Sequence, residues 1–227
     1  MNNIISLFIY FRALLTFVLF GPILLIVVFL FPRFLYRLIG PFCKLMIFMF
    51  GCTIKTKGKF PENECFVIMA NHASFLDVFA IPTVFKGKFS AVAASFNFKI
   101  PLYSLFLKKL KVIPIKRLNK EQAIAGINMA EKVLKEGYHI VILPEGTRTL
   151  TGTIGKFKKG GFHLAKNAKA RILPVFTNGL YDIKPKNRWT INPGRIEINI
   201  GDPLETSNKN IEELLKETEE LFSSFKN

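Results

Sequence analysis

"CFVIMANHASFLD", residues 65–77, joins an apolar run to a histidine and, five positions later, an aspartate. Residues 65–70 are apolar without interruption, which predicts a strand. Residues 74–85 predict a helix. A strand that leads through a short loop into a helix is the repeating unit of α/β domains. His72 therefore lies where such domains place their sites, at the end of a strand, and Asp77 lies one turn into the predicted helix.

Short apolar runs alternate with helical stretches through the chain after residue 52. The predicted strands are 65–70, 89–94, 112–115, 138–143, 171–176 and 195–200. The predicted helices are 74–85, 100–109, 120–136, 159–169 and 209–225. This alternation is typical of an α/β fold with a mostly parallel sheet flanked by helices. We predict one such domain over residues 52–227, preceded by a membrane-anchoring segment, residues 1–51.

The N-terminal segment contains 19 consecutive uncharged residues, 13–31, close to the roughly 20 that a membrane span needs. A cleaved signal peptide is disfavoured because no small-residue cleavage site follows the run, which ends in "FPRFLYR". Two interpretations remain, a single span and a two-helix hairpin in one leaflet. In the hairpin, Gly21-Pro22 interrupts the first helix and Pro32 turns the chain. Residues 34–51 then form a second, amphipathic helix with its cations at headgroup level.

The net charge of +16 is unevenly distributed. Seven Lys and Arg residues precede the first acid, Glu62, and nine lie between Asp77 and Glu121 with no acid among them. Such a surface favours anionic partners, among them phospholipid headgroups, phosphorylated substrates and acidic carrier proteins. The apolar N-terminus and the lack of a DNA- or RNA-binding motif argue against nucleic acid. The basic body is predicted to lie on the cytoplasmic face of a membrane in either anchor arrangement.

His72 and Asp77 can meet only if His72 precedes the helix, because five residues of regular helix separate two side chains by about 140°. A curl at Ala73-Ser74, with Ser74 as the N-cap, would bring them together. A histidine oriented by a carboxylate is the general base of acyl-transfer triads. No G-x-S-x-G motif supplies a serine nucleophile, so the base would act on a substrate hydroxyl. The alternative is a loop histidine beside a surface aspartate.

The stretch "LPEGTRT", residues 143–149, follows a predicted strand and combines a glycine, hydroxyls and an arginine. Gly146 permits close backbone approach, Thr147 offers a hydroxyl, and Arg148 offers a planar fork for phosphate or carboxylate. Downstream, "GKFKKGGF" (155–162) places Lys158 and two other lysines among glycines, a weak phosphate-binding pattern. The alternatives are an ordinary turn and a solvated basic loop.

Four blocks in a fixed order carry a family resemblance: "NHASFLD", "VIPIKR", "PEGTRT" and "ILPV". With them the chain resembles the 1-acylglycerol-3-phosphate O-acyltransferases, also called lysophosphatidic acid acyltransferases, over residues 60–180. The N-terminal two-helix anchor resembles that of bacterial members. Two departures affect the acceptor. Lys111 and Lys116 stand where the second block usually has a glycine and an acid, and "KAR" precedes "ILP" where Gly-x-Pro is usual.

The resemblance implies that His72 is the general base and Asp77 its orienting partner. It further implies residues that bind the acceptor, chiefly its phosphate, and one residue that shapes the acyl site. The acceptor residues are Arg117, Glu145, Gly146 and Arg148, with Thr147 and Lys158 beside them; the acyl-site residue is Pro174.

The implied reaction moves a fatty acyl group from acyl-CoA or acyl-carrier protein to the free hydroxyl of lysophosphatidic acid, giving phosphatidic acid, with no metal and no cofactor. The implied partners are therefore these substrates and membrane phospholipid. Two alternatives stay open. One is the same transfer to another lysolipid, and the other is a basic membrane-binding module without turnover.

Overall fold

Seven strands form one sheet in the computed structural model, which describes residues 3–101, 103–115 and 120–226. The strands are β1 (Thr53–Lys57), β2 (Val67–Ala70), β3 (Phe89–Ala94), β4 (Ile113–Ile115), β5 (His139–Ile142), β6 (Ile172–Asn178) and β7 (Arg195–Ile200). Their order across the sheet is β1-β7-β6-β2-β5-β3-β4. Every neighbouring pair is parallel except β6 and β7. The predicted α/β fold with a mostly parallel sheet is confirmed.

Helices cover both faces of the sheet. They are α1 (Asn3–Leu30), α2 (Leu35–Met49), α3 (Asp77–Ala80), α4 (Tyr103–Lys109), α5 (Lys120–Lys135), α6 (Gly160–Asn167), α7 (Leu180–Ile183) and α8 (Ile211–Lys226). Side chains from α1, α2 and α3 pack on one face of the sheet in a large buried cluster. Those from α5, α6 and α8 pack in a second cluster on the other face. The result is three layers, helix–sheet–helix.

One predicted element of the body was too long, and one strand was missed. The predicted helix over 74–85 is shorter, because α3 spans only Asp77–Ala80 and a 3-10 turn follows over Ile81–Val84. The chain before Asp77 is wound around that carboxylate, so it is not available to extend the helix. Strand β1, "TIKTK", was not predicted because it carries no apolar run. It is an edge strand whose side chains are mostly exposed, so burial imposed no sequence pattern on it.

The prediction that Gly21-Pro22 interrupts the first helix was also wrong, because α1 runs unbroken for 28 residues with Pro22 inside it. Pro22 lies on the exposed side of the helix and costs one backbone hydrogen bond, which a long helix with a packed face tolerates. The predicted turn at Pro32 is confirmed, since a 3-10 turn over Pro32–Phe34 separates α1 from α2.

The pair α1 and α2 is joined to the body through one apolar cluster that both share. Near the start of α1, the Tyr10 hydroxyl donates to the carbonyl of Trp189 (2.7 Å), and Ser6 is hydrogen-bonded to the backbone of Ile191. The Arg12 guanidinium donates to the carbonyl of Met49 at the end of α2. The division of the chain at residues 51 and 52 stays a prediction.

The sheet order brings distant loops together. The chain forms β3 and β4 on one side of β2, and β5 then lies between β2 and β3. After β5 the chain crosses to the other side of β2 and forms β6 there. The carboxyl ends of β2, β5 and β6 therefore lie side by side. In open α/β sheets, sites form at the carboxyl edge where the strand order reverses. The loops beginning at Asn71, Leu143 and Gly179 all leave the sheet at this edge.

Candidate active site

The loop after β2 winds around the carboxylate of Asp77. The Nδ1 atom of His72 lies 2.6 Å from Asp77 Oδ2, and the backbone N–H groups of Ala73 and Ser74 donate to the same oxygen at 3.1 Å. The curl predicted at Ala73-Ser74 and the contact between the two side chains are confirmed. Ser74 is not the N-cap, because α3 begins only at Asp77 and the Ser74 hydroxyl donates to the carbonyl of Lys184 (2.7 Å).

The His72–Asp77 pair is asymmetric in its exposure. The Asp77 side chain is 1% exposed and the His72 side chain 19%. Burial raises the pKa of the Asp77 carboxyl above its ordinary value, while the His72 ring and the two backbone N–H groups act in the opposite direction. With Nδ1 held by the carboxylate, Nε2 is the ring nitrogen that can exchange a proton with a ligand. The pair therefore has the geometry of a general base and the group that orients it.

Glu145, the first residue of the E-G-T-R block, contacts the His72 loop directly. Its Oε1 accepts from the backbone N–H of His72 (2.7 Å), and its Oε2 accepts from the backbone N–H of Gly155 (2.8 Å). The side chain is buried, and burial raises the pKa of the Glu145 carboxyl against the effect of these two hydrogen bonds. Both carboxylate oxygens thus connect loops of the protein. Sequence reasoning missed this contact because it depends on β2 and β5 being neighbours.

Asn71, directly before His72, fixes the other side of the loop. Its Oδ1 accepts from the backbone N–H and the hydroxyl of Thr177, and its Nδ2 donates to the carbonyl of the same residue. Asn71 thus continues the pairing of β2 with β6 beyond the last strand residue. Sequence reasoning did not assign Asn71 a role, although it opens the "NHASFLD" block. The backbone of His72 is therefore held by Glu145 on one side while its neighbour is held by Thr177 on the other.

Gly146 and Lys158 lie against each other. Gly146 has φ +70°, in the left-handed region, and a Cβ there would lie 3.0 Å from both Cε and Nζ of Lys158. The Lys158 backbone N–H donates to the Pro144 carbonyl, which holds the two segments together. The structure thus brings the E-G-T-R loop and the basic loop 155–162 into contact, and the positive φ at position 146 favours a glycine there.

Arg148 lies next to other cations near the His72 loop. Burial, and secondarily the charges of Arg148 and Arg188, lower the pKa of the Lys184 ammonium. Lys184 is the residue whose carbonyl accepts from Ser74, so these cations adjoin the loop that carries the histidine. Thr147 is exposed on the turn between Gly146 and Arg148.

Two predicted site residues stand apart from this group. Pro174 lies within β6, opposite Met69 of β2, and its ring packs towards Gly201. It is buried but is not among the described residues that line the cavity beside His72. Arg117 lies outside the described residues, and so does Lys116.

A cavity of about 260 Å³ opens beside His72 at the carboxyl edge of the sheet. Its walls come from the loops after β2, β5 and β6, and hydroxyl, amide and backbone groups contribute much of the lining. Tyr181 of α7 and Thr149 of the E-G-T-R loop belong to this lining, and the Tyr181 hydroxyl donates to the carbonyl of Leu150 (2.8 Å). Because His72 belongs to the lining, the cavity can hold a reacting group beside it.

Comparison with known proteins places these loops within one family. The family model described as acyltransferase matches residues 51–178. A 1-acyl-sn-glycerol-3-phosphate acyltransferase from Pseudomonas aeruginosa is 36% identical over 62% of this chain and 54% of its own length. One of the same name from Saccharomyces cerevisiae is 30% identical over 74% of this chain and 56% of its own length. The chain spans about half the length of these curated relatives.

A solved structure is similar over nearly the whole chain. The crystal structure of the 1-acyl-sn-glycerophosphate (LPA) acyltransferase, PlsC, from Thermotoga maritima superimposes with a TM-score of 0.87 at 27% sequence identity. The match covers 99% of this chain and 94% of the other, so the N-terminal helices and the sheet are both included.

Proposed function

Since the chain belongs to the acyltransferase family, we propose that it transfers a fatty acyl group from an acyl thioester to the free hydroxyl of 1-acylglycerol-3-phosphate, giving phosphatidic acid. The observation that carries the proposal is the 2.6 Å contact between His72 and Asp77 beside a cavity. The names of the relatives from P. aeruginosa and S. cerevisiae, and that of the T. maritima structure, support the same acceptor.

The reaction needs one proton to be moved twice. His72 Nε2 takes the proton of the lysolipid hydroxyl as the oxygen attacks the thioester carbonyl carbon. The resulting imidazolium is stabilised by the Asp77 carboxylate at Nδ1. When the tetrahedral intermediate collapses, the C–S bond breaks and the sulfur leaves with the electron pair. The leaving thiolate takes the proton back from Nε2, which returns His72 to its neutral form.

We propose that Glu145 acts by positioning His72 rather than by binding the acceptor. Both of its oxygens accept from backbone N–H groups, and the side chain is only 5% exposed. The acceptor phosphate is assigned instead to Arg148, which has other cations as neighbours and no acidic partner among the described ion pairs. An arginine fork can bond two phosphate oxygens at once. Arg117, Gly146, Thr147 and Lys158 remain proposed contributors to acceptor binding, and Pro174 to the acyl site.

The acyl donor is proposed to be acyl-CoA or acyl-carrier protein. Both present the acyl group as a thioester on a phosphopantetheine arm, and both are anionic, which suits a chain with a net charge of +16.

We propose that α1 and α2 anchor the protein in one leaflet, with the body on the cytoplasmic face. Within the described residues, α1 is the helix that is long and apolar enough to cross a membrane. However, body residues pack on it near its start, at Tyr10, and near its end, at Val28. These positions are about 27 Å apart along a helix, close to the hydrocarbon thickness of about 30 Å. A perpendicular span would place parts of the body on both sides of the bilayer, so α1 lies along the surface.

The reaction is tested with purified protein, labelled acyl-CoA or acyl-carrier protein, and lysophosphatidic acid in mixed micelles. Because general-base catalysis contributes about 10² to 10⁴ in rate, His72→Ala is expected to lose at least 100-fold in turnover while it still binds vesicles. His163→Ala, which changes an exposed histidine of α6, is the matched control and should retain wild-type turnover. An His72→Ala protein that keeps more than half of the wild-type rate would contradict the proposed function.

A further inference from the structure

Residues 95–101 and 103–109, between β3 and β4, expose large apolar side chains on the surface of the body. They include a 3-10 turn over Ser95–Lys99 and helix α4. Phe96, Ile100 and Leu105 are 64%, 47% and 48% exposed. Single exposed apolar residues are common on soluble proteins, but three within ten positions form a patch.

Lysines accompany this patch. Lys99 ends the 3-10 turn, and Lys108 and Lys109 end α4. None of the three forms an ion pair with a carboxylate in the part of the chain that the structure describes. The C-terminal end of a helix favours cations, which accounts for part of this arrangement at α4 but not for Lys99. Apolar side chains flanked by unpaired lysines are typical of segments that lie at a membrane surface.

Helix α4, which carries Leu105 of this patch, is joined to α1 through packed apolar side chains. Phe106 and Leu110 pack against a buried cluster that includes Leu24 and Val28 of α1. The Lys109 ammonium lies 4.6 Å from the centre of the Phe29 ring. Around this contact the end of α1 and the residue that follows it expose further large apolar side chains, namely Ile26, Phe29, Leu30 and Phe31.

We propose that residues 95–101 and 103–109 form a second lipid-contacting element, which inserts Phe96, Ile100 and Leu105 into the leaflet in which α1 is proposed above to lie. Its occupant is an anionic bilayer. The exposed apolar side chains, joined to α1 through α4, provide the apolar contact, and the three unpaired lysines provide the attraction to anionic headgroups. This element gives the body a membrane contact that is separate from α1. It also fixes the rotation of the body about the long axis of α1. This proposal concerns membrane contact and does not depend on the acyl transfer proposed above.

The test places a fluorescent reporter at the proposed contact in the full-length protein. Trp189→Phe removes the one tryptophan of the chain, and Phe96→Trp or Leu105→Trp then supplies a single reporter at an exposed position. Ile124→Trp on α5, 52% exposed and in the opposite helical layer, is the matched control. Protein reconstituted into vesicles with brominated lipids is expected to show blue-shifted and quenched emission for the first two variants and not for the third.

A second measurement tests the lysines. Changing Lys99, Lys108 and Lys109 to glutamine should weaken binding to vesicles rich in anionic lipid by about fivefold for each lysine and leave binding to neutral vesicles unchanged. Emission at positions 96 and 105 that is quenched no more than at position 124 would overturn the proposal and indicate a surface for a protein partner instead. An equal loss of binding to anionic and neutral vesicles would exclude the lysines from headgroup contact.

Discussion

Replacing Asp77 by Asn removes the negative charge of the group that orients His72 but keeps the size and shape of its side chain. The amide oxygen of Asn can still accept from the backbone N–H groups of Ala73 and Ser74 and from His72 Nδ1, the three donors that now meet Asp77 Oδ2. The loop is therefore expected to keep its conformation. What is lost is the negative charge beside the imidazolium that forms during the reaction.

The size of the loss follows from Coulomb's law. A carboxylate and an imidazolium whose charges are about 4 Å apart interact by about 4 kcal/mol at an effective dielectric constant of 20. If that interaction exists only once the proton has moved to His72, its loss slows the chemical step by roughly 10³-fold. Since Asn does not remove a substrate contact, KM should change little.

The folded state should tolerate this change. Burial disfavours the charged form of Asp77, so a neutral side chain at this position removes a cost of burial. Against this, the Asn amino group takes the place of Oδ1, which has no hydrogen-bond partner among the described residues, and so leaves a buried donor unpaired. We expect these effects to offset each other, with a change of no more than about 2 kcal/mol in the free energy of unfolding.

The assay is steady-state turnover of labelled acyl donor, with thermal unfolding measured on the same preparation. Asp202→Asn, at an exposed acid after β7, is the matched control and should be unchanged in both measurements. A well-folded Asp77→Asn protein whose kcat falls less than tenfold would refute the claim that this charge stabilises the imidazolium.

Three further predictions use other contacts of the site and core. Glu145→Gln places an amide N–H₂ group opposite one of the two backbone N–H donors and so breaks one of the two hydrogen bonds. This variant should have a lower kcat and a nearly unchanged KM. A rise in KM alone would instead indicate that Glu145 binds the acceptor. Arg148→Ala should raise KM for lysophosphatidic acid about tenfold or more and barely affect a lysolipid lacking the phosphate monoester, so equal losses on both would contradict phosphate binding. Burial lowers the pKa of the His139 imidazole. Below about pH 6.5 this histidine is therefore protonated in the unfolded chain before it is protonated in the folded one. The free energy of unfolding then falls as the pH falls, by up to about 1.4 kcal/mol per pH unit. His139→Gln should therefore lose less in Tm than the wild type between pH 7.5 and 5.5, and equal losses would show that His139 is not responsible.

The His72–Asp77 contact could be predicted from sequence because it is local. The two residues are only five positions apart, and helix geometry leaves a curl before the helix as the one arrangement that joins their side chains. The strands of the core were predictable for a related reason, since burial on both faces favours continuous apolar runs, as in β2 and in residues 140–142 of β5.

The contacts of Glu145 and Asn71 could not be predicted in the same way. Glu145 meets a backbone N–H group 73 residues earlier in the chain, and Asn71 meets Thr177, which lies 106 residues later. Both contacts exist only because β2 lies between β5 and β6, and periodicity within a strand does not determine which strands become neighbours. The resemblance assigned Glu145 to the acceptor, whereas its carboxylate connects the loops that hold the histidine.

The shared cluster beneath α1 and α2 also bears on the order in which the protein assembles. Ser6 and Tyr10 are synthesised well before Ile191 and Trp189, their hydrogen-bond partners in the body. During most of synthesis the side of α1 that later contacts the body is therefore uncovered, and a bilayer is an environment that can accept its apolar side chains. With α1 in the leaflet as proposed above, we expect the body to fold onto a helix that is already bound to lipid. A chain that began at Thr53 would complete its sheet without the side chains that cover one face of it, so the shortened protein should aggregate rather than behave as a soluble enzyme.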